Sequence, residues 1–460
     1  MHRRQLIRQA SIVNEDRILT GDVLVEDGMI AAVCYGEAPQ ELRNGAEVTE
    51  AAGLHLLPGV IDDQVHFREP GLTHKADIAT ESAAAVAGGV TSFMDMPNTV
   101  PATTTPERWE DKYRAAEGRS HANYAFYFGA TAGNAGQFAQ LDPGRLCGVK
   151  LFMGSSTGDM LVSDPQALEE IFAAAPGILA VHCEDEATIR REAALAREQY
   201  GDDDPMALHA QIRSAEACYL SSARAVELAR RHGTRLHLLH LSTAREMSLL
   251  DRTVPLAQKQ ITGEVCVHHL WFSDADYARC GARIKWNPSI KTAHDRQALL
   301  QAVADGTVDV IGSDHAPHTL AEKSAASYFA VPSGGPLVQH TLNVMLELSR
   351  QGAFSVACAV RRMCHAPADL FGIPDRGYIR KGYRADLVLV DLQDSYTVSR
   401  DQLYYKCGWS PFEGTLFHSR VKKTWVNGCV AFADGHVTGA CAGVPLAFRQ
   451  RRRASFSQRT

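Results

Sequence analysis

The chain has 460 residues, of which 45% are hydrophobic, and its formal net charge is -6. This length and apolar content exceed what one small domain needs, so we expect one large domain and a smaller one. The mild negative charge creates no global field that favours nucleic acid or an anionic membrane, and we expect neither as a partner.

The cysteines and the N-terminal residues indicate the cellular compartment in which the protein is expected. Eleven cysteines are scattered without CxxC pairs, as is typical of free thiols in reducing surroundings. The basic N-terminus lacks the apolar block of a signal peptide, and no apolar run reaches the length of a membrane span. We therefore expect a soluble, cytoplasmic protein.

Two rhythms of apolar residues divide the chain. Residues 6–52 alternate apolar and polar positions around turns, which predicts short antiparallel strands. Residues 54–317 instead contain apolar runs separated by helical patterns, including those at 80–87, 165–175, 206–232 and 293–305. Eight such runs are counted, ending near His66, Pro97, Thr131, Met153, Asp185, Ser242, Leu270 and Pro317. Repeated βα units of this number predict an α/β fold, a (β/α)8 TIM-like barrel with its function at the carboxyl ends of the strands.

The C-terminal part returns to short strands. Helical patterns at 338–349 and 356–370 precede strand patterns at 385–391 and 421–428. We expect these strands to join the N-terminal ones in a small accessory β domain formed by both chain termini. The predicted domains are 1–57 and 376–448 for the accessory domain and 58–375 for the barrel. The basic tail, 449–460, favours a disordered terminus over a nucleic-acid arm.

Polar residues gather at the predicted strand ends. Alone, each is typical of a capped strand end or a buried core histidine. A barrel brings all these ends to one place, and imidazoles with a carboxylate form a ligand set for zinc or a similar metal. The residues are Gln64, His66, Asn98, Lys150, His182, Glu184, Asp185, His240, His269, Asp314, His315 and His318.

Lys150 is the unusual member of this group. A buried ammonium beside a dication is desolvated and repelled, which lowers its pKa towards the neutral amine. A neutral lysine can take up carbon dioxide and become an anionic carbamate that ligates metal. The alternative is a salt-bridged lysine at a strand end, and spacing does not decide between the two.

Four segments carry a family resemblance. They are FREPG at 67–71, MPNT at 96–99, NPS at 287–289 and DHAPH at 314–318. With them the chain resembles the dihydroorotase branch of the amidohydrolase superfamily over nearly its whole length. Allantoinases tend to carry Asn at the position of Arg68 and Leu at that of Asn98, and hydantoinases differ at both. The resemblance implies the reversible cyclisation of N-carbamoyl-L-aspartate to L-dihydroorotate, the third step of pyrimidine biosynthesis.

The resemblance also implies roles for single residues. The implied metal ligands are His66, Lys150 as N6-carboxylysine, His182, His240 and Asp314. Asp314 is also the implied catalytic residue, passing a proton from the attacking water to the leaving ring nitrogen. The implied clamp on the substrate carboxylate is Arg68, Asn98 and His318, while Asn287, Gly334 and Gly335 contact the ring. A homodimer is implied as well, and His269 is expected to support a ligand or to pack.

Gln64 departs from the family pattern. The family usually has His-x-His here, and this chain has Gln64-Val65-His66. A glutamine oxygen is a weaker donor to zinc than imidazole. We therefore expect one firmly bound zinc, held by the Lys150 carbamate, His182 and His240, while a second zinc at Gln64 stays uncertain.

Two alternatives to a dihydroorotase stay open. One is another cyclic amidohydrolase, an allantoinase or a dihydropyrimidinase/hydantoinase. The other is a non-catalytic relative that serves as a structural partner of aspartate transcarbamoylase. Gln64 suggests this alternative because it replaces a metal ligand of the family. The retained set of Lys150, His182, His240 and Asp314 favours an enzyme over that scaffold.

Overall fold

The computed structural model describes residues 4–154, 160–201, 206–325 and 327–449. The predicted tail lies outside the described residues from position 450 onward, so its disorder stays a prediction. The strands in chain order are β1 (Arg4–Asn14), β2 (Arg17–Glu26), β3 (Met29–Tyr35), β4 (Glu47–Glu50), β5 (His55–Pro58), β6 (Val60–Val65), β7 (Val90–Asp95), β8 (Asn123–Phe126), β9 (Phe128–Gly129), β10 (Val149–Phe152), β11 (Ile178–His182), β12 (Arg235–Leu238), β13 (Ile261–Cys266), β14 (Val310–Gly312), β15 (Leu387–Asp391), β16 (Tyr396–Thr397), β17 (Leu416–Phe417), β18 (Arg420–Val426), β19 (Cys429–Ala433) and β20 (His436–Val437).

The helices lie mainly between the barrel strands and after them. They are α1 (Gln40–Arg43), α2 (Ile78–Ala87), α3 (Pro106–Ala116), α4 (Pro165–Ala174), α5 (Glu186–Tyr200), α6 (His209–Ile212), α7 (Ala215–His232), α8 (Val267–Trp271), α9 (Tyr277–Cys280), α10 (Ala293–Asp305), α11 (Leu320–Lys323), α12 (Thr341–Arg350), α13 (Val356–Val360) and α14 (Ala366–Phe371). A π-helix, Arg361–His365, joins α13 to α14. None of the helices in the described ranges is long and apolar enough to cross a membrane.

Strands β6 to β14 are parallel and form the barrel. One sheet has the order β6-β7-β8 and the other the order β14-β13-β12-β11-β10-β9. Because only Tyr127 separates β8 from β9, this segment pairs with β7 on one side and with β10 on the other. The last and first strands meet where the backbone N–H of His66 donates to the carbonyl of His315 at 2.7 Å. The predicted α/β fold with a TIM-like barrel is confirmed.

Side-chain caps start several of the barrel helices. Asp77 accepts a hydrogen bond from the backbone N–H of Thr80 at 2.9 Å, just before α2. Thr292 does the same for Asp295 at 3.2 Å, just before α10. Such caps satisfy N–H groups that the first helical turn leaves unpaired. Each cap therefore marks the residue at which the loop after a strand ends and the helix begins. The residues before the cap stay in the loop at the mouth of the barrel.

The prediction of one helix over 206–232 is wrong. The segment contains a 3-10 turn, Met206–Leu208, then α6, a break, and α7. Ser214 causes the break because its hydroxyl accepts from the backbone N–H of Ala217 at 3.3 Å and so begins a new helix. The backbone of Arg213 is accordingly non-helical, with φ -103° and ψ 66°.

Both ends of the chain contribute to one accessory sheet. Its order is β20-β19-β18-β15-β5-β1-β2-β3, with β4 paired to β1. N-terminal β5 pairs with C-terminal β15, placing Leu57 opposite Val388 and Leu56 opposite Leu389. Apolar side chains such as Trp425 are buried on this sheet. The accessory β structure from both termini thus forms as predicted, whereas the domain boundaries at 57, 375 and 448 stay predictions.

Candidate functional site

A cavity of about 170 Å³ opens where the barrel strands end. Gln64 and every metal ligand and substrate contact implied by the resemblance, except Gly335, line it, whereas the strand-end residues Glu184, Asp185, His269 and His315 do not. The lining consists of Gln64, His66, Arg68, Asn98, Lys150, Phe152, His182, Arg213, His240, Trp286, Asn287, Asp314, Ala316, His318, Ser333 and Gly334.

The strand ends explain this convergence. His182 is the last residue of β11, and His66 follows β6 directly. His240 and Asp314 come two residues after β12 and β14, and both have a positive φ, 38° and 48°. Lys150 lies within β10 itself. Since the strands are parallel, their carboxyl ends bring these five side chains to one edge of the barrel.

His182 and His240 face each other inside the cavity. Nδ1 of His182 lies 3.0 Å from Nε2 of His240, and Nε2 of His182 lies 3.0 Å from a carboxylate oxygen of Glu184. Burial lowers the pKa of both histidines, so both are neutral at pH 7. At this separation one of the two facing nitrogens donates to the other. With a metal ion in place of that proton, both nitrogens would present lone pairs to one point, as two ligands of one ion do.

His66 and Asp314 make a second pair of this kind. Nδ1 of His66 lies 2.7 Å from Oδ1 of Asn98, an acceptor, and therefore carries the ring proton. The other nitrogen, Nε2, then points a lone pair at Oδ1 of Asp314, 3.1 Å away. An acceptor that faces an acceptor needs a cation between or beside them. His66 and Asp314 therefore also suit a metal.

Gln64 is not oriented as a metal ligand. Its Nε2 donates to Oδ1 of Asp314 at 3.1 Å, and its Oε1 lies 3.8 Å from the thiol sulfur of Cys266. The amide thus supports the carboxylate with an N–H group, which has no lone pair for a metal.

Lys150 is buried close to these groups. Burial lowers its pKa to about 7, although the carboxylates of Asp314 and Glu264 oppose the shift. A large share of the side chain is therefore the neutral amine at neutral pH, the form that reacts with carbon dioxide. Together with the imidazole pairs and Asp314, this donor set of nitrogen and oxygen atoms fits a metal of the zinc class.

Arg68 provides positive charge on the other side of the cavity. Its φ is 67°, and its Nε donates to the carbonyl of Pro317 at 3.1 Å. Burial lowers the pKa of Arg68 to about 10, so the guanidinium stays charged at pH 7. Burial, with the charges of Arg68 and Lys75, lowers the pKa of His318 well below its ordinary value, so His318 adds no charge.

His318 instead orders its neighbours. Nζ of Lys75 donates to Nδ1 of His318 at 3.0 Å, while Nε2 lies 3.2 Å from the guanidinium of Arg68 and 3.1 Å from the carbonyl of Ser333. The contact with Ser333 anchors the loop that carries Gly334, whose φ is 123°. Gly334 has no room for a side chain, because a Cβ there would lie 2.4 Å from the carbonyl oxygen of Ala316.

Two predicted ring contacts differ in position. Asn287 lines the cavity, and its Oδ1 is buried without a hydrogen-bond partner among the described residues. Gly335 lies behind the wall, where a Cβ would come within 2.8 Å of Trp286 and 3.0 Å of Trp409. His269 is buried outside the cavity lining, with Nε2 3.2 Å from the carbonyl of Pro288.

Arg213 is a cavity residue that the sequence analysis missed. It forms a buried ion pair with Glu184. Burial alone would raise the pKa of Glu184, but Arg213 and His182 hold it at about 2. The signal was present, because a serine at 214 before Ala-Glu-Ala is a helix N-cap pattern that would have placed Arg213 in a loop. Phe152 and Trp286 were also missed, since apolar runs do not distinguish wall residues from core.

Known proteins match this chain over most of its length. A family model described as "Amidohydrolase family" matches residues 164–431, and one described as "Dihydro-orotase-like" matches residues 53–246. A dihydroorotase from Methanosarcina acetivorans is 33% identical over 423 residues, covering 89% of this chain and 88% of the relative. An allantoinase from Deinococcus radiodurans is 32% identical over 449 residues, covering 95% and 97%.

A solved structure agrees with the fold over the whole chain. An L-hydantoinase (dihydropyrimidinase) from Arthrobacter aurescens superposes with a TM-score of 0.89 at 27% identity, covering 98% of this chain and 100% of the other. The similarity is therefore shared among proteins that are named for different cyclic amide substrates.

Proposed function

Because the chain belongs to the amidohydrolase family, we propose that it is a dihydroorotase, which interconverts N-carbamoyl-L-aspartate and L-dihydroorotate in pyrimidine biosynthesis. Its relatives act on cyclic amides, so it is a cyclic amidohydrolase with a small-molecule substrate. The observation that supports the narrower assignment is the charged Arg68 inside the cavity.

Arg68 distinguishes the candidate substrates by their charge. Dihydroorotate carries a carboxylate on its ring, whereas allantoin, hydantoin and dihydrouracil are uncharged. A guanidinium offers a planar pair of donors to a carboxylate, and burying such a charge opposite a neutral ring leaves it without compensation. Together with Asn98, which lines the same cavity, Arg68 supports an anionic substrate over the neutral ones.

The cofactor part of the proposal is zinc with a carboxylated Lys150. Lys150, His182 and His240 would hold one ion firmly, and His66 and Asp314 would complete the site. Zinc bound there would polarise the ring carbonyl and lower the pKa of water in the site. Gln64 supports one ion rather than two, because its amide N–H faces Asp314.

Asp314 moves the proton in this mechanism. In the hydrolytic direction its carboxylate accepts a proton from the attacking water and then gives it to the leaving ring nitrogen. In the biosynthetic direction the same carboxylate takes the proton from the carbamoyl nitrogen as the ring bond forms and gives it to the hydroxyl that leaves as water. The hydrogen bond from Gln64 and the contact with His66 hold the carboxylate in place for both transfers. Arg68, Asn98 and Asn287 orient the ring.

A substrate panel with a chelator tests the proposal. The protein is assayed with dihydroorotate, allantoin, hydantoin and dihydrouracil, before and after removal of metal. We expect dihydroorotate hydrolysis that is lost with the metal and restored by zinc. Faster turnover of allantoin or hydantoin would assign the neighbouring specificity instead. Turnover of none would favour a non-catalytic partner of aspartate transcarbamoylase. The homodimer and the cytoplasmic location remain part of the proposal.

A further inference from the structure

Three metal-binding side chains meet one layer below the cavity. Asp63 on β6, His237 on β12 and Glu264 on β13 each bring a ligand atom to within 4.8 Å of the other two. All three side chains are fully buried. Asp63 precedes Gln64 on its strand, and His237 lies three residues before His240, so this cluster lies deeper in the barrel than the catalytic candidates. We name it the barrel-floor cluster.

The hydrogen bonds around His237 are compatible with a ring proton on Nδ1. The Thr262 hydroxyl has the carbonyl of Leu236 to donate to, at 3.2 Å. Its oxygen then accepts from Nδ1 of His237, 2.9 Å away. The other nitrogen, Nε2, is left with a lone pair that points at Oδ2 of Asp63 across 3.1 Å. This arrangement repeats what His66 and Asp314 show above: an imidazole acceptor faces a carboxylate acceptor.

Unpartnered oxygens surround the same point. Among the described residues, Oδ1 of Asp63, Oε2 of Glu264 and the hydroxyl of Tyr127 are buried without a hydrogen-bond partner. Buried polar atoms are nearly always satisfied in native structures, and carboxylates taken out of water need a compensating charge. Burial, and then the charge of Asp63, raise the pKa of Glu264, so without a cation the cluster has to hold a proton. A dication in place of that proton would balance both carboxylates.

We propose that Asp63, His237 and Glu264 bind a divalent cation of the zinc class, separate from the catalytic site above it. Two carboxylates and a neutral imidazole form a nitrogen and oxygen donor set of total charge -2, which one dication balances. Thr262 orients the imidazole, as hydrogen-bonded neighbours do for histidine ligands in general. The ion is structural, because the cluster lies below the cavity lining and reaches no substrate.

Cys266 links the two levels. Its sulfur lies 3.1 Å from Oε1 of Glu264 and 3.8 Å from Oε1 of Gln64. The barrel-floor ion is thus placed just below the position where Gln64 replaces a ligand of the family. A chain with a single catalytic zinc would still carry two metal ions.

Anomalous diffraction at the zinc edge tests this directly. Crystals of the full chain, loaded with zinc and then dialysed, are expected to show one peak among Asp63, His237 and Glu264 besides any peak in the cavity. No peak at the cluster in the wild-type protein overturns the proposal and means that a proton lies between Nε2 and Oδ2. Because this readout requires no substrate, it is independent of whether dihydroorotate is hydrolysed.

Matched variants add a measurement of metal content. Asp63→Asn keeps the shape of the side chain and is expected to lose one metal equivalent per chain. His240→Asn is expected to lose the cavity metal and keep the barrel-floor peak. Asp309→Asn is the control, because it alters a buried barrel carboxylate that is paired with Lys259 at 2.7 Å, outside the cluster. Equal metal content in Asp63→Asn and Asp309→Asn counts against the site, and the wild-type map decides if a variant does not fold.

Discussion

The side-chain amide of Gln64 donates a hydrogen bond to Asp314, with 3.1 Å between Nε2 and Oδ1. The residue that departs from the family pattern thus supports the predicted proton carrier instead of presenting a lone pair to a metal. A histidine at this position would offer a ring nitrogen to the same space. We therefore expect Gln64→His to bind one more zinc per chain in the cavity, measured by elemental analysis. Unchanged metal content would show that the pocket geometry, and not the donor type, limits binding.

Removal of the proton carrier should stop turnover without unfolding the protein. Asp314 has a φ of 48°, a conformation that Asn tolerates nearly as well as Asp. We expect Asp314→Asn to reduce kcat by about 10³-fold, within the range of general acid–base catalysis. Circular dichroism and thermal unfolding serve as the control for folding. Activity within tenfold of the wild type would exclude the proposed role.

Arg68→Asn tests specificity for an anionic substrate. Asn also tolerates the positive φ of this position, and it removes a charge-assisted contact worth about 2 kcal/mol, or roughly thirtyfold in kcat/KM. The loss should appear with dihydroorotate and be absent with hydantoin or dihydrouracil, which have no carboxylate. An equal loss for charged and neutral rings would mean that Arg68 has only a structural role.

Lys150 predicts a dependence on carbon dioxide and pH. With the pKa lowered to about 7 by burial, the fraction of neutral amine rises roughly tenfold between pH 6 and pH 8 for a single titration. At constant dissolved carbon dioxide, zinc uptake by the metal-free protein should increase in the same proportion. Lys150→Met should take up zinc weakly at both pH values. Zinc uptake that does not depend on the concentration of carbon dioxide would contradict a carbamate at Lys150.

His340 predicts part of the acid sensitivity of the fold. It is buried between Tyr405 and Ser410, and burial lowers its pKa from 6.5 to about 3. Because the folded pKa is below the unfolded one, its effect is absent above pH 6.5 and destabilises progressively as pH falls towards 3. Between pH 6.5 and 5.0 this amounts to about 2 kcal/mol.

His340→Gln should escape this loss. In urea unfolding at pH 7.5, 6.5 and 5.0, the unfolding free energy of the wild type minus that of the variant should fall by about 2 kcal/mol between pH 6.5 and pH 5.0, since the other buried histidines are common to both. Parallel pH profiles would show that His340 is protonated equally easily in both states.

Hydropathy and strand-end chemistry predicted the barrel and most of its cavity. Parallel strands are buried on both faces, so each appears as an apolar run followed by polar residues, as at His66 and His182. Arg213 was not predicted as a cavity residue, because the sequence on both sides of it is helical and the break between α6 and α7 was not recognised. Sequence pattern also does not show depth: Gly335 follows Gly334, yet it lies behind Trp286 and not in the cavity.

The barrel-floor cluster was hidden for another reason. Asp63 directly precedes Gln64 on β6, and His237 lies within the mainly apolar strand β12. The two residues are 174 positions apart, and only the curvature of the barrel brings their side chains together across its interior. Pairings between opposite strands depend on this closure, which no local pattern encodes.

Strands β5 and β15 pair with each other, and the whole barrel lies between them in the sequence. Leu57 and Val388 stand opposite each other at its base, so everything between them must be synthesised before this contact forms, and such long-range pairing is slow. Until then, β5 presents an unpaired edge. We expect chains shortened before β15 to associate through that edge and accumulate as aggregates, even though every cavity residue is still present in them.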